Sequence, residues 1–392
     1  MTVASEVRYF SWEGDRGSVT GGPLADGGGS QLYIPYAAKL SGKVGDDLKL
    51  DILGRGGWVS AEQTTDGASG SIETITDIVT SATATYYGIA GVQPFVAVSL
   101  NLPTGKSALS ASEVDARMDG DLVDIGSFGE GFNVGPTVGV TVPITANFLI
   151  TASAGYTWRG VFDRESSLGA VQPVALVATD IDPGDVLTVT TGIAFQSGPL
   201  SVQVTGSVSQ ETKTTENGVD LYRGGRRYLV SSTLAYAWET MGTTTITAST
   251  SHSEKNDVLF AGTAALVEEA LNTNSNLYRV GFQHLVPFAE GRLVIGPIAS
   301  FLFRDQNGYN SSTLQFAPQK ERWAFGGLAR YALSDNITFN ARFEYVITDE
   351  DHRPAPGGQV FSVLANAFIP GSAVPNLASE GVVGVIGFNI SF

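Results

Sequence analysis

The sequence contains no cysteine and only three histidines among its 392 residues. The absence of cysteine excludes a disulfide-stapled secreted scaffold, a thiolate zinc site and a cysteine nucleophile. Basic residues are also scarce, because 23 Lys and Arg stand against 39 Asp and Glu and leave a net charge of −16. Since phosphate binding needs clustered Lys and Arg, this balance argues against nucleic acid as a partner.

Long apolar runs are missing as well. No run approaches the ~18 residues that a transmembrane helix needs. The first residues, Met1 to Ser5, do not read as a signal peptide, and we expect a mature start behind an initiator Met. With 43% hydrophobic and 16% charged residues, the chain is nevertheless too apolar for a mainly disordered protein.

Apolar and polar residues alternate along most of the chain. The odd positions from Ile337 to Ile347 are apolar, and the even positions from Asn336 to Glu344 are polar. The same alternation recurs at 48–58 and 148–159. Because side chains alternate across a strand, the pattern predicts strands with one apolar and one polar face. Helical periodicity is limited to one candidate, Thr263–Leu271.

Short and long connections between these strands alternate along the chain. The short ones lie near 43–46, 89–93, 144–147, 197–199, 239–242, 289–291 and 333–336. The long, polar or Gly/Pro-rich ones lie near 15–29, 63–71, 103–130, 163–184, 212–224, 254–272, 305–319 and 349–377. Seven short and eight long connections make 16 strands if Val3–Gly14 is the first strand. The last strand then ends on the side of the short turns, where the N-terminus also lies.

Two soluble folds compete with this interpretation. A β-sandwich places its apolar faces inside and rarely needs such long strands, and a β-helix would show a repeat of ~20–50 residues, which is absent. Long alternating strands with short turns on one side and long loops on the other are typical of a transmembrane barrel. The sequence therefore predicts an all-β fold, a transmembrane antiparallel β-barrel of 16 strands with short periplasmic turns and long extracellular loops, in a single domain over 1–392.

The end of the chain and the topology carry a first resemblance. Apolar residues at 382, 386, 388 and 390 and the terminal Phe392 are similar to the C-terminal strand that marks bacterial outer-membrane proteins for assembly. With its predicted topology, the chain resembles the 16-stranded bacterial porins. This resemblance implies a channel in the bacterial outer membrane, with outer-membrane lipid, lipopolysaccharide and small solutes as partners.

A second resemblance rests on three short stretches. They are Leu-Asn-Leu-Pro-Thr-Gly at 100–105, Gly-Phe-Asn-Val-Gly-Pro at 131–136 and Ala-Gly-Tyr-Thr at 154–157. These stretches are similar to outer-membrane transporter-like proteins linked to phenol meta-pathway degradation. The resemblance implies, as an alternative function, a substrate-selective transporter for aromatic or other hydrophobic compounds.

The third long connection, 103–130, is rich in acidic residues. Its carboxylates are those of Glu113, Asp115, Asp119, Asp121, Asp124 and Glu130, against Lys106 and Arg117 as the only bases. A barrel of this size leaves a water-filled lumen, and in the porins that the chain resembles the third loop folds into the channel. We therefore expect 103–130 to be an infolded constriction loop.

Basic residues are expected on the inner wall, because a charge facing lipid would cost about 2–4 kcal/mol near the midplane. The predicted wall consists of Arg55, Arg159, Arg227, Arg279, Arg304, Arg322 and Arg342, with Lys39, Lys49, Arg292 and Arg330 nearer the periplasmic mouth. Inward acids are fewer: Asp47, Asp51, Glu239 and Glu344. Two interpretations stay open. The arginines solvate a wet lumen and pair with neighbouring acids, or they face the acidic third loop across a constriction and orient dipolar solutes.

Outward aromatic residues predict a girdle at the membrane boundary. They are Trp58, Trp158, Trp238, Trp323, Tyr36, Tyr156, Tyr236 and Tyr331. The lipid faces of the third and fourth strands are instead rich in Gly, Thr and Ala, which suits contact with protein. Because porin-like barrels pack through their N-terminal strands and last strand, we expect a homotrimer.

Three functions remain open at this point. The leading hypothesis is a porin-like outer-membrane channel for passive diffusion of small hydrophilic or mildly amphipathic solutes. The alternatives are the substrate-selective transporter, and a structural or export-conduit barrel that holds a partner. Enzyme activity is not expected, because His252, His284 and His352 have no well-placed serine for an outer-membrane phospholipase. No cofactor or metal site is expected either, since the loop carboxylates lack EF-hand spacing.

Overall fold

The computed structural model describes residues 1–16, 25–65, 68–165, 178–351, 359–363, 367–370 and 377–392. Sixteen antiparallel strands form a closed barrel, in which each strand pairs with its neighbours in sequence and β16 pairs with β1. The strands are β1 Thr2–Arg16, β2 Ala25–Val44, β3 Leu48–Thr65, β4 Ala68–Ile75 with Ile78–Tyr86, β5 Gln93–Leu102, β6 Asn133–Thr145, β7 Phe148–Arg159, β8 Val186–Ser197, β9 Leu200–Glu211, β10 Arg227–Ala237, β11 Thr243–Ser253, β12 Leu277–Phe288, β13 Leu293–Arg304, β14 Lys320–Ser334, β15 Ile337–Glu350 and β16 Leu377–Ser391. The predicted strand number and barrel are confirmed.

Alternation along each strand separates an apolar outer face from a mainly polar inner face. On β15 and β16, the outward side chains of Phe343 and Ile386 are 59% and 68% exposed. Similar large apolar side chains are exposed around the outside of the barrel. Such a surface is unfavourable in water and favourable in lipid. The barrel is therefore transmembrane, as the sequence predicts.

The predicted alternation of short and long connections is confirmed, except that strands extend into two of the predicted long loops, 15–29 and 63–71. The first and last strands meet at the end with the short turns, where the Met1 amino group lies 3.3 Å from the carbonyl oxygen of Phe392. Within 15–29, β1 continues to Arg16 and β2 begins at Ala25. Within 63–71, predicted as a long loop, β3 continues to Thr65 and β4 begins at Ala68, so 63–65 and 68–71 extend a hairpin. From Glu62 onward this part of the ladder consists of polar and small residues. Because it has no alternating apolar face, the sequence pattern does not indicate a strand there.

The helix candidate Thr263–Leu271 is wrong, because this stretch contains the two-residue strand Val267–Glu268 and no helix. Within the described residues, the only α-helix is α1, Ala111–Asp115, in the third long connection. None of the helices in the described ranges is long and apolar enough to cross a membrane.

A second, smaller sheet is built from the long connections after β7, β9 and β11. Its six short strands are Phe162–Glu165, Ala178–Asp182, Lys213–Glu216, Val219–Arg223, Asp257–Val258 and Val267–Glu268. The sheet brings Glu165 to the segment 103–130. Its carboxylate accepts a hydrogen bond from the Leu109 amide at 3.2 Å and pairs with Arg117 at 2.7 Å.

Candidate functional site

The segment 103–130 leaves β5, forms α1 and returns to β6. At the start of α1, the Ser110 amide donates to the Glu113 carboxylate at 2.8 Å, which stabilises the first turn. Glu113 also pairs with Lys106 at 2.5 Å. Its carboxylate therefore stabilises the segment internally, and among the described residues Glu113 forms no hydrogen bond or ion pair with the barrel wall.

Two apolar clusters fix the segment to the barrel. In the first cluster, Met118, Leu122 and Val123 of the segment pack against Phe10 and Trp12 of β1. In the second, segment residues pack against β3 and β4; its members are Val59, Ala61, Ile72, Leu109, Ala116 and Phe128. All these side chains are at least nine-tenths buried. Apolar side chains of the wall thus point inward where the segment covers them.

The tip of the segment is tied to the wall by ion pairs around Lys320, whose side chain is fully buried. The Lys320 ammonium contacts Asp119 directly and lies 3.1 Å from Glu350 and 3.8 Å from Asp121. Arg304 contacts two of these three acids and lies 3.2 Å from Asp121 and 2.8 Å from Glu350. The two cations and three carboxylates therefore form one network that joins the segment to β13, β14 and β15.

Two further arginines contact the segment. Arg279 of β12 lies 3.4 Å from Asp121. Arg8 of β1 lies 3.1 Å from Asp124 and 2.8 Å from Glu6. At these positions the acids and arginines are in direct contact. They do not face each other across an open constriction.

The environment of Asp119 favours its ionised form. Burial raises the pKa of this carboxyl, but the charge of Lys320 and its hydrogen bond outweigh burial and hold the pKa below the ordinary 3.8. A hydrogen bond from the Asp121 amide at 2.8 Å acts in the same direction. Asp119 is therefore charged at neutral pH and is attracted to the wall.

Arg322 and Arg342 line a cavity of about 420 Å³ beside the segment, together with Arg8 and Asp124. Arg342 pairs with Glu344 on its own strand at 3.0 Å. Arg322 forms no ion pair with any described residue. The wall charge in this cavity is therefore only partly neutralised.

The remaining predicted site residues lie apart from this network. Arg55 lines a second cavity, of about 490 Å³, between the segment and β1–β5. Arg159, at the upper end of β7, pairs with Glu211 at 3.5 Å. Arg227 begins β10 and forms no ion pair within the described ranges, and neither does the side chain of Asp115. The structure therefore does not bring these residues to the docked tip.

Sequence reasoning missed Lys320, Glu350 and Arg8. Lys320 has the same parity as Arg322 on β14, which indicates an inward side chain. Because Lys320 directly follows the predicted loop 305–319, the sequence pattern does not assign it to the strand. Arg8 has the parity of Phe10 and Trp12, so the rule that apolar residues face lipid would place all three on the outer face. The assumption that apolar residues face lipid fails where the segment covers the wall.

The opposite half of the inner wall differs in composition. Inward positions of β6–β11, all of them described, carry no charge between the short turns and the rim residues Arg159, Glu211 and Arg227. Hydroxyl groups predominate there: Thr137, Thr141, Thr151, Ser153, Thr157, Thr188, Thr190, Ser201, Thr205, Ser207, Ser209, Ser231, Thr233, Thr245, Thr247, Ser249 and Ser251. The segment therefore contacts the charged half of the wall.

The histidines form no triad or metal site in the described part of the chain. The ring of His284 bonds the Thr244 hydroxyl at 2.9 Å, and that of His252 bonds Asn276 at 2.5 Å. His352 lies outside the described residues. No group of three or more His, Asp and Glu within the described ranges is arranged to hold a metal ion.

No family model and no curated protein matches the chain. Among solved structures, it is similar to a FadL homologue of Pseudomonas aeruginosa, with 10% identity, 100% of this chain and 90% of that chain covered, and a TM-score of 0.44. An anion-selective porin from Comamonas acidovorans shares 12% identity over 100% and 99% of the two chains, with a TM-score of 0.40. Similarity this low indicates neither a solute nor a mechanism. The resemblance to the phenol-linked family stays a prediction.

Proposed function

We propose that this protein is a porin-like channel of the bacterial outer membrane, through which small hydrophilic or mildly amphipathic solutes diffuse passively. In this proposal the segment 103–130 narrows the lumen, and the basic wall holds it in place. A closed barrel with an apolar outer face and a mainly polar inner face supports the channel function.

The observation that carries the proposal is the position of Asp121. Its carboxylate lies within 4 Å of cations from three adjacent strands, Arg279, Arg304 and Lys320. Arg279 and Arg304 donate hydrogen bonds to this carboxylate at 3.4 and 3.2 Å, and Lys320 attracts it from 3.8 Å. A segment held in this way reduces the open cross-section on one side of the barrel.

Single-channel recording of the purified protein in a planar bilayer under a salt gradient tests the proposal. We expect an open, ohmic conductance for the natural sequence. Asp121→Asn removes the charge that attracts the three cations, so we expect a larger conductance with more frequent current fluctuations. Glu113→Gln is the matched control, because Glu113 belongs to the same segment but, among the described residues, bonds only Lys106 and Ser110.

Two outcomes would contradict the proposal. A barrel that never conducts would argue against passive diffusion and favour the selective transporter or a barrel that holds a partner. Equal conductance of the Asp121→Asn and Glu113→Gln variants would argue against the role of the segment. The homotrimer is part of the proposal, and crosslinking in mild detergent that yields only monomer would exclude it.

A further inference from the structure

The interruption of β4 lies beside the end of β5, where the chain enters the segment 103–130. One part of β4 pairs with β3 as far as Ile75, and the other pairs with β3 and β5 from Ile78 onward. Thr76 and Asp77 lie between these ladders. The Thr76 amide donates to the Gly57 carbonyl at 2.8 Å, so the interruption has a fixed backbone conformation.

The carboxylate of Asp77 accepts three hydrogen bonds, two of them from the two ends of the segment. Oδ1 accepts from the Gly105 amide at 2.8 Å. Oδ2 accepts from the Glu130 amide at 2.8 Å and from Asn101 Nδ2 at 2.6 Å. Asn101 Nδ2 also donates to the Gly131 carbonyl at 2.6 Å. A single side chain thus joins the residues where the segment leaves and re-enters the wall.

Thr104 adds a second link between the same two parts of the chain. Its hydroxyl donates to the Thr76 carbonyl at 3.0 Å and accepts from the Ile78 amide at 3.0 Å. The stretch 100–105, which carries a resemblance in the sequence, therefore contributes a side-chain amide, a hydroxyl and a backbone amide to one hydrogen-bonded group with Thr76 and Asp77.

The two ends of the segment also touch each other at glycines. A Cβ atom on Gly105 would lie 1.9 Å from the Phe128 carbonyl oxygen, and one on Gly129 would lie 2.9 Å from the Gly105 carbonyl carbon. Only glycine fits this crossing. The direction in which the segment leaves the wall is therefore set within a few residues of Asp77.

We propose that Asp77 is a positioning residue, which holds the base of the segment 103–130 so that its acidic tip meets the basic wall. The inference rests on the proposed function and deepens it, because it names what sets the position of the narrowing segment. Asp77 acts through backbone amides and Asn101, and in this role it does not touch the solute. Among the described residues, Asp77 forms no ion pair, and its carboxylate accepts hydrogen bonds from these three donors.

Replacing Asp77 by asparagine keeps the size of the side chain but turns one acceptor atom into a donor. The new N–H groups would face the amide of Gly105, or those of Glu130 and Asn101, so at least one of the three bonds is lost. Loss of one hydrogen bond to a charged group corresponds to a rise of about tenfold in the undocked population, or about 1.4 kcal/mol.

A spin label on α1 measures this population directly. Because the chain has no cysteine, Ser112→Cys supplies a single attachment point on an exposed position. In this background we expect Asp77→Asn to increase the mobile fraction of the label about tenfold and to increase open-channel current noise. Asp46→Asn, in the exposed turn after β2, is the control with the same change of charge.

Unchanged label mobility and current noise in a folded Asp77→Asn barrel would overturn the proposal. Folding is checked by the heat-modifiable migration of the barrel on a gel. If Asp77→Asn does not fold, Asn101→Ala removes one of the three donors to Asp77 together with the bond to the Gly131 carbonyl. A rise in mobility then supports the proposal, whereas no rise overturns it. A silent natural-sequence barrel would contradict the proposed function, while the label would still test Asp77.

Discussion

Lys320 shows how one residue belongs both to the wall and to the segment that covers it. A fully buried ammonium is tolerated only when it is paired and hydrogen-bonded. Lys320 meets Asp119 and Asp121 of the segment and Glu350 of the wall. If the segment left, the ammonium would keep Glu350 but lose both segment acids. Burial of Lys320 and docking of the segment are therefore coupled.

This coupling predicts an acid-sensitive docking. The pKa of Asp119 is lowered in the docked state, so its contribution is present above the pKa of the undocked carboxyl and is lost as pH falls through the docked pKa, below 3.8. We expect constant conductance from neutral pH to about pH 5, and a rise with more current noise below about pH 4. Single-channel recording across this range measures it.

Asp119→Asn is the control for this pH dependence, because its side chain does not titrate. We expect the variant to show raised conductance already at neutral pH and a weaker change below about pH 4. The same acid transition in both proteins would show that another group is responsible.

Individual residues of the site were partly predictable. Period-two alternation assigned Arg279 and Arg304 to the lumen, and composition singled out the acids of 103–130. The pairing of Asp121 with both arginines could not be predicted, because the path of an irregular segment has no periodicity to read. Arg8 was missed for a related reason: covered wall residues such as Trp12 are apolar although they face inward.

At the scale of elements, the extended β3–β4 hairpin and the segment 103–130 form one packed unit. Val59 and Ala61 of β3 are almost completely buried against it. The sequence pattern does not predict the end of the hairpin, because the residues at 62–65 and 68–71 are polar or small and do not alternate between an apolar and a polar face.

At Gly70 the hairpin passes close to the segment. A Cβ atom there would lie 2.3 Å from both the Ala116 amide nitrogen and the Ser112 carbonyl oxygen. We expect Gly70→Ala to displace α1, to increase the mobility of a spin label on Ser112→Cys, and to cost about 1–3 kcal/mol of docking energy through overpacking. Gly42→Ala is the control, because a Cβ at Gly42 meets no atom within 4 Å. Equal label mobility in the two variants would contradict this account of the packing.

At the scale of the whole molecule, the lumen has two unlike sides. Most of the charged wall lies on β12–β16 and β1–β3, where much of it is in contact with the segment or with neighbouring acids. The wall of β6–β11 presents hydroxyl groups, which exchange hydrogen bonds with water and solutes without fixed charge. Since the segment occupies the charged side, we expect solutes to pass along the hydroxyl side.

A charge placed on that side tests this path. Thr205 faces inward in the middle of β9, between Gly192 and Ser231 on the neighbouring strands. In water, a carboxylate within ~4 Å lowers the free energy of a passing cation by about 1 kcal/mol and raises that of an anion by as much, so Thr205→Glu should raise the cation-to-anion permeability ratio by up to about thirtyfold. The reversal potential under a salt gradient measures this ratio, and Thr205→Val controls for the loss of the hydroxyl.

If Thr205→Glu leaves the reversal potential at the Thr205→Val value, ions do not pass along β9. The path would then follow the arginine-lined cavity beside Asp121, and the segment would line the pore from its other side.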